Sequence, residues 1–127
     1  MSSPILVVED NDDLLLLFRL VLESAGYKVV TLNNGKDALN DLAKIQPQLV
    51  LMDIMMPQVS GLQVTRNIKQ QSNYKDLPIL LVSAVDRLKD EQFQDSKADG
   101  IIYKPFDLDE LIAQVDRLVC SQSKALF

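Results

Sequence analysis

Four short apolar stretches of this chain lead directly into groups that can do chemistry. Glu9 and Asp10 follow Ile5-Leu6-Val7-Val8, and Asp53 follows Leu49-Val50-Leu51-Met52. Ser83 follows the run Pro78 to Val82, and Lys104-Pro105 follows Ile101-Ile102-Tyr103. Brought to one place, they supply three carboxylates, a hydroxyl and an ammonium. Two carboxylates about 5 Å apart repel by about 3 kcal/mol at an effective dielectric near 20. Three ionised together raise one another's pKa unless a cation intervenes. Hard oxygen donors with open positions suit Mg²⁺, which takes few protein ligands and keeps several waters. With Lys104 as a second positive group, the set is suited to receive an anion of spread charge, such as a phosphoryl group, and to stabilise its transfer. Any one of these residues has an ordinary explanation as a cap or turn residue. Their joint occurrence points to a site.

Such convergence requires strands that end at one edge. The apolar runs, together with Lys28 to Leu32, are mostly continuous rather than alternating, as expected of strands covered on both faces of a parallel sheet. Helical periodicity lies between them. A first helix is expected over Asp12 to Ala25, with Phe18 as its inward centre and Leu14, Leu15, Val21, Leu22 and Ala25 on the same side. Ala38, Leu39, Leu42 and Ile45 mark a second, stopped by Pro47. Leu62, Thr65 and Ile68 mark a third, entered through Ser60-Gly61. Asp86 to Lys97 has only Leu88 and Phe93 as anchors, which predicts a short, weakly held helix. The last helix runs over Leu108, Leu111, Ile112, Val115, Leu118 and Val119, capped by Asp107 with Glu110 three residues on. Alternating strands and helices imply right-handed crossovers and an α/β sandwich. In such a sheet, ligands bind beyond the carboxyl ends of the strands, where the strand order reverses.

Composition narrows the chemistry further. The 127 residues include no His, no Trp and one Cys, with 13 basic and 18 acidic residues for a net charge of -5. A zinc finger, or a Cys/His or Ser/His nucleophilic site, cannot be assembled within the chain. Its basic residues are scattered, so no direct contact with nucleic acid is expected. The longest apolar run, Leu14 to Phe18, is far short of the ~20 residues needed to cross a bilayer, and the amino terminus lacks a signal-peptide pattern. The expectation is one cytoplasmic domain over residues 1–127, with a core of about 4–120 and a short tail at 121–127.

The run Ile5 to Asn11 resembles the first strand of the receiver domains of two-component response regulators. So do Leu49 to Pro57 with Gly61, Val82-Ser83-Ala84, and Tyr103-Lys104-Pro105-Phe106. The resemblance covers nearly the whole chain, in order. It implies a flavodoxin-like (βα)5 fold, a doubly wound five-stranded parallel sheet of order 2-1-3-4-5. It also implies a stand-alone, chemotaxis-regulator-like phosphoacceptor. Asp53 matches the aspartate that takes a phosphoryl group from the phosphohistidine of a sensor histidine kinase or histidine phosphotransfer protein. Glu9 and Asp10 match the acidic pair that holds Mg²⁺ (or Mn²⁺ in its place), with Asp53 and the backbone carbonyl of Met55 completing the protein ligands. Lys104 matches the lysine that pairs with the aspartate or its phosphate. Ser83 matches the hydroxyl that turns toward the phosphoryl oxygens, and Tyr103 the aromatic that then moves inward. The Lys104-Pro105 bond is cis in this family, which would aim Lys104 into the site. Self-catalysed phosphotransfer and slow dephosphorylation are implied, rather than enzyme turnover on a separate substrate, and the output passes to a downstream protein through the last two strand-helix units.

Two features depart from the family pattern. Position 9 is Glu where Asp is also common, and Lys97 precedes Ala98 where glycine is frequent. A third feature is not required by it: Leu16 and Leu20 point away from the inward side of the first helix, with Leu17 on the flank. They form a candidate docking face for a phosphohistidine-bearing bundle or for a second copy in a homodimer. Competing readings fit less well. An aspartate-nucleophile phosphatase of the haloacid-dehalogenase type needs a second Asp where Met55 stands. A flavodoxin-type cofactor loop would be opposed by Glu9-Asp10-Asn11-Asp12-Asp13. A receiver-like module that is never phosphorylated would not require the full set of site residues.

Overall fold

The computed structural model describes residues 3–84 and 90–124, with residues 90 and 121–124 described in backbone only. Five parallel strands, β1 (Ile5–Val8), β2 (Val29–Leu32), β3 (Leu49–Asp53), β4 (Ile79–Ser83) and β5 (Gly100–Tyr103), form one sheet of order β2-β1-β3-β4-β5. The helices between and after them are α1 (Asp12–Ser24), α2 (Gly35–Ile45), α3 (Gly61–Gln70), α4 (Asp90–Ser96) and α5 (Leu108–Lys124). The fold is the α/β sandwich expected from the alternation, in the flavodoxin-like strand order that the resemblance implies.

The continuous apolar strands have the predicted cause. Ile5, Val7, Leu49, Leu51, Leu80, Val82 and Ile102 pack with Phe18, Leu22, Leu111 and Val115 on one face of the sheet. Leu6, Val8, Val50, Met52, Ile79 and Leu81 pack with Ala38, Leu42, Val64 and Ile68 on the other. Alternate residues of each strand therefore serve two cores, and a polar residue in mid-strand would disrupt one of them. Phe106 closes the first core by stacking on Phe18 at 5.5 Å between ring centroids.

Several boundaries and positions differ from the sequence reading. Asp53 and Ser83 are the last residues of β3 and β4 rather than the first after them. The α5 helix continues to Lys124, absorbing residues 121–124 that were expected to lie in a tail. Ala25 is exposed rather than inward, because it sits at the C-cap of α1 where the chain already turns away. Leu108 is exposed too, in the first turn of α5 beside its cap Asp107, which accepts the Asp109 N–H. Of the expected Asp86–Lys97 helix, Asp90–Ser96 is helical and Lys97 leaves it at φ 65°, while residues 86–89, with the anchor Leu88, lie outside the described residues. A single 3-10 turn, Ser72–Tyr74, follows α3. Among the described residues, no helix is long and apolar enough to cross a membrane.

The joint between β3 and α3 is tight. Ser60 caps α3 by accepting the Leu62 N–H, and the Gly61 N–H donates to the Ile54 carbonyl at 2.9 Å. A Cβ on Gly61 would collide with the Asp53 carbonyl oxygen and lie 2.9 Å from Ile54 Cα. Both obstacles are backbone, so a side chain there must push α3 off the strand that carries Asp53. Gly61→Ala is expected to destabilise the fold by about 1–3 kcal/mol, read as a lower urea midpoint with an unchanged slope. A wild-type midpoint would contradict that close approach.

Candidate functional site

The site lies at the carboxyl edge, where the order of the sheet reverses between β1 and β3. Its geometry starts from the period-two rule. Continuing the alternation of each strand, Glu9, Asp53 and Lys104 share the parity of the α1/α5 face, whereas Ser83 and Tyr103 share the opposite parity. The register also places Ser83 beside Tyr103. One set is thus gathered on one face of the edge, and the second lies on the other.

Glu9 leaves β1 with its backbone N–H bonded to the Leu32 carbonyl at 3.1 Å, and only 1% of it is exposed. The chain must then turn into α1, and Asn11 makes the turn by accepting the Leu14 N–H at 2.9 Å. This fold-back aims the Asn11 N–H at Glu9 Oε2, 3.1 Å away. The other oxygen, Oε1, is buried with no hydrogen-bond partner among the described residues. Asp53 is equally enclosed, at 3% exposure, and its Oδ1 accepts a long hydrogen bond of 3.4 Å from the Met55 N–H. Carboxylate oxygens of Glu9, Asp10 and Asp53 all lie within 4.8 Å of one another, with Asp10 on the exposed side.

Lys104 enters from β5. Its N–H donates to the Ser83 carbonyl at 2.7 Å, and its Nζ lies 3.6 Å from Glu9 Oε1 and 3.7 Å from Asp53 Oδ1. The Lys104–Pro105 peptide bond is cis. Ser83 is fully buried, while Tyr103 is 37% exposed. Met55 follows two residues behind Asp53, with its side chain in solvent.

Burial is the main cause of the electrostatic strain here. It pushes the Glu9 carboxyl up to about 7; the Asn11 N–H opposes the rise, and the nearby Asp53 adds to it. Burial likewise raises Asp53 above the usual carboxylate range, against the pull of Lys104. One ammonium at 3.6–3.7 Å does not offset two buried carboxylates and a third beside them. A small divalent cation fits this donor set. It would meet hard oxygens only, and it would satisfy the orphaned Glu9 Oε1.

Comparison with known proteins agrees with this geometry. The family model described as "Response regulator receiver domain" matches residues 5–116. The chain belongs to that family. This receiver is 33% identical over 116 residues to the polar-differentiation response regulator DivK of Brucella anthropi, an alignment covering 91% of this chain and 94% of DivK. A crystal structure of the response regulator TrrA from Thermotoga maritima, in complex with Mg²⁺ and BeF, is 34% identical with a TM-score of 0.83, covering 93% of this receiver and 99% of TrrA. A putative response regulator from Chloroflexus aurantiacus superposes with a TM-score of 0.88 at 27% identity, covering 94% and 99% of the two chains.

Every residue singled out from sequence as part of the site lies at this edge, apart from Leu16 and Leu20, which are on α1. Sequence reasoning did not assign a role to Asn11, although Asn directly before an apolar helix is a recognisable N-cap signal. It also did not foresee how closely Gly61 lies against Asp53.

The raised carboxyls make stability depend on pH. A folded-state pKa above the unfolded value means that the folded form holds its proton longer. Glu9 therefore favours the fold fully below about 4.5, and that contribution is lost as pH rises through about 7. Metal-free protein is expected to melt at a lower temperature at pH 8 than at pH 5.5, and Glu9→Gln to flatten the difference. A metal-free melting temperature that rises across this window would contradict the assignment.

Proposed function

We propose that this receiver takes a phosphoryl group onto Asp53 from the phosphohistidine of a sensor histidine kinase or histidine phosphotransfer protein in the cytoplasm, with Mg²⁺ dependence. It then passes the signal on by a change of shape and by protein contact. The observation that carries this reading is the meeting of three carboxylates within 4.8 Å, with a lysine ammonium at 3.7 Å from the central one. Such a site repels anions unless a metal is present.

Glu9, Asp10 and Asp53 would hold the metal, together with the Met55 carbonyl, and Mn²⁺ would fit the same oxygens. When bound, the metal supplies positive charge to phosphoryl oxygens. An Asp53 carboxylate oxygen attacks phosphorus in line, forming the acyl phosphate as the phosphorus–nitrogen bond of the donor breaks and the electron pair returns to the imidazole. Lys104 balances the charge of the transferred group. Burial of Asp53 limits water, which makes loss of the group slow. Ser83 would then turn its hydroxyl to the phosphoryl oxygens, and Tyr103 would move inward from its exposed position. The chain is a phosphoacceptor rather than an enzyme with a separate substrate. Incubation with acetyl phosphate and Mg²⁺ is expected to add one phosphoryl group by intact mass, lost in Asp53→Asn and abolished by EDTA. No adduct under any of these conditions, with no beryllofluoride binding, would refute the reading.

The outer face of α1 supports a place for the donor to dock. Leu16 and Leu20 are each 55% exposed one turn apart, and Leu17 lies beside them. A small cavity of about 140 Å³ between α1 and β2, lined by Asp12, Leu15, Leu16, Arg19 and Thr31, adjoins this face. The helix starts at the site, so a helical bundle packed along these leucines could present a phosphohistidine to Asp53. Leu16→Gln with Leu20→Gln is expected to slow transfer from a phosphorylated histidine bundle at least about tenfold while leaving acetyl phosphate uptake unchanged. Unchanged transfer with a loss of dimer mass would assign the face to a second copy instead. Unchanged transfer and unchanged mass would remove both.

A further inference from the structure

Lys69 is a buried cation that the site chemistry does not use. Its side chain, near the end of α3, is 5% exposed, and its Nζ lies 2.7 Å from Asp99 Oδ2 and 3.2 Å from the Lys75 carbonyl. The same Oδ2 accepts the Ile79 N–H at 2.8 Å, and the Asp99 N–H donates to the Ile79 carbonyl at 2.9 Å. The first rung between β4 and β5 is therefore clamped to α3 by an ion pair. A buried ammonium depends on such a partner, since leaving it unpaired is costly.

The pair sits at the opposite end of the sheet from Asp53, yet both ends of its mounting lead to the site. The α3 helix starts with Gly61 pressed against the Asp53 carbonyl and ends with Lys69 gripping Asp99. Asp99 immediately precedes β5, a four-residue edge strand, and Lys104 immediately follows it. The helix thus acts as a strut from the backbone of Asp53 to the start of the strand that delivers Lys104. Meanwhile the Lys104 ammonium reaches its carboxylates only at 3.6 and 3.7 Å, so little axial movement of β5 would take it out of contact.

We infer that Lys69 is a positioning residue for Lys104: by holding Asp99, it sets how far β5 advances and hence the reach of Lys104 to Asp53. The inference rests on the phosphoacceptor reading above, and it predicts a specific separation of effects. The metal-holding residues lie on or just beyond β1 and β3, which the clamp does not carry.

The test measures the rate of phosphoryl gain from acetyl phosphate by intact mass, with Mg²⁺ affinity by calorimetry, at a temperature where circular dichroism shows each variant folded. Lys69→Met is expected to slow phosphoryl gain about tenfold while leaving Mg²⁺ affinity unchanged. Lys69→Arg, which keeps the charge, restores the rate. In a Lys104→Met background, adding Lys69→Met causes no further loss, because the two act through one group. Should Lys69→Met fail to fold, Lys69→Met with Asp99→Asn removes both charges, keeps the acceptor for Ile79, and is expected to show the same slow rate. A wild-type rate in either folded variant, or an undiminished loss when Lys104 is already absent, would overturn the assignment. A wild-type chain that gains no phosphoryl group would overturn the phosphoacceptor reading as well, a result distinct from failure of the clamp alone.

Discussion

Two carboxylates forced into the protein interior, Glu9 and Asp53, are the constraint on which the rest of this receiver depends. Each ends or follows a strand that is buried on both faces, so neither can withdraw into solvent without breaking a core layer. Their burial raises the cost of ionising both, and the orphaned Glu9 oxygen shows the strain at one atom. The apolar strands supply the stability that sustains this arrangement. A positive charge is the complement it calls for. Lys104 provides part of it from β5, at distances longer than a close ion pair.

Much of this was legible in the sequence, because strand ends and parity follow from simple periods. Continuous apolar runs identified the two-sided strands, and the residue after each run identified the site edge. Resemblance to a known family then attached roles to Asp53, Asp10, Lys104 and Ser83. What escaped the sequence depended on close approach in three dimensions. No pattern in the chain announces that a Cβ at Gly61 would strike the Asp53 carbonyl. Nor does one announce that Lys69 pairs with Asp99, 30 positions away, because a lysine on a helix is ordinarily solvated. Helical periodicity alone puts Ala25 and Leu108 inward, and it fails at helix ends where the chain leaves the face it was following.

The left-handed residue Lys97, at φ 65°, explains one departure from the family pattern. Glycine adopts that conformation freely, and a lysine there accepts some backbone strain. The strain is compensated locally: Ser96 Oγ donates to the Phe93 carbonyl and accepts the Ala98 N–H, and Asp99 is held by Lys69. The connection between α4 and β5 is therefore fixed by side chains. The molecule has a clamped amino edge, where Lys69 holds Asp99, and a charged carboxyl edge, where Lys104 faces Glu9 and Asp53. The two are linked by short strands, of which β1, β3 and β4 are fully buried.

Burial strains the Glu9–Asp53 pair, and a divalent cation held there would relieve it. Calorimetric titration with Mg²⁺ at pH 7, in two buffers of different ionisation enthalpy, tests this directly by counting protons. With Glu9 raised to about 7 in the free protein and Asp53 raised beside it, binding is expected to release a fraction of a proton per metal, and less in Glu9→Gln. Mg²⁺ binding with no proton released in wild-type protein would contradict the account.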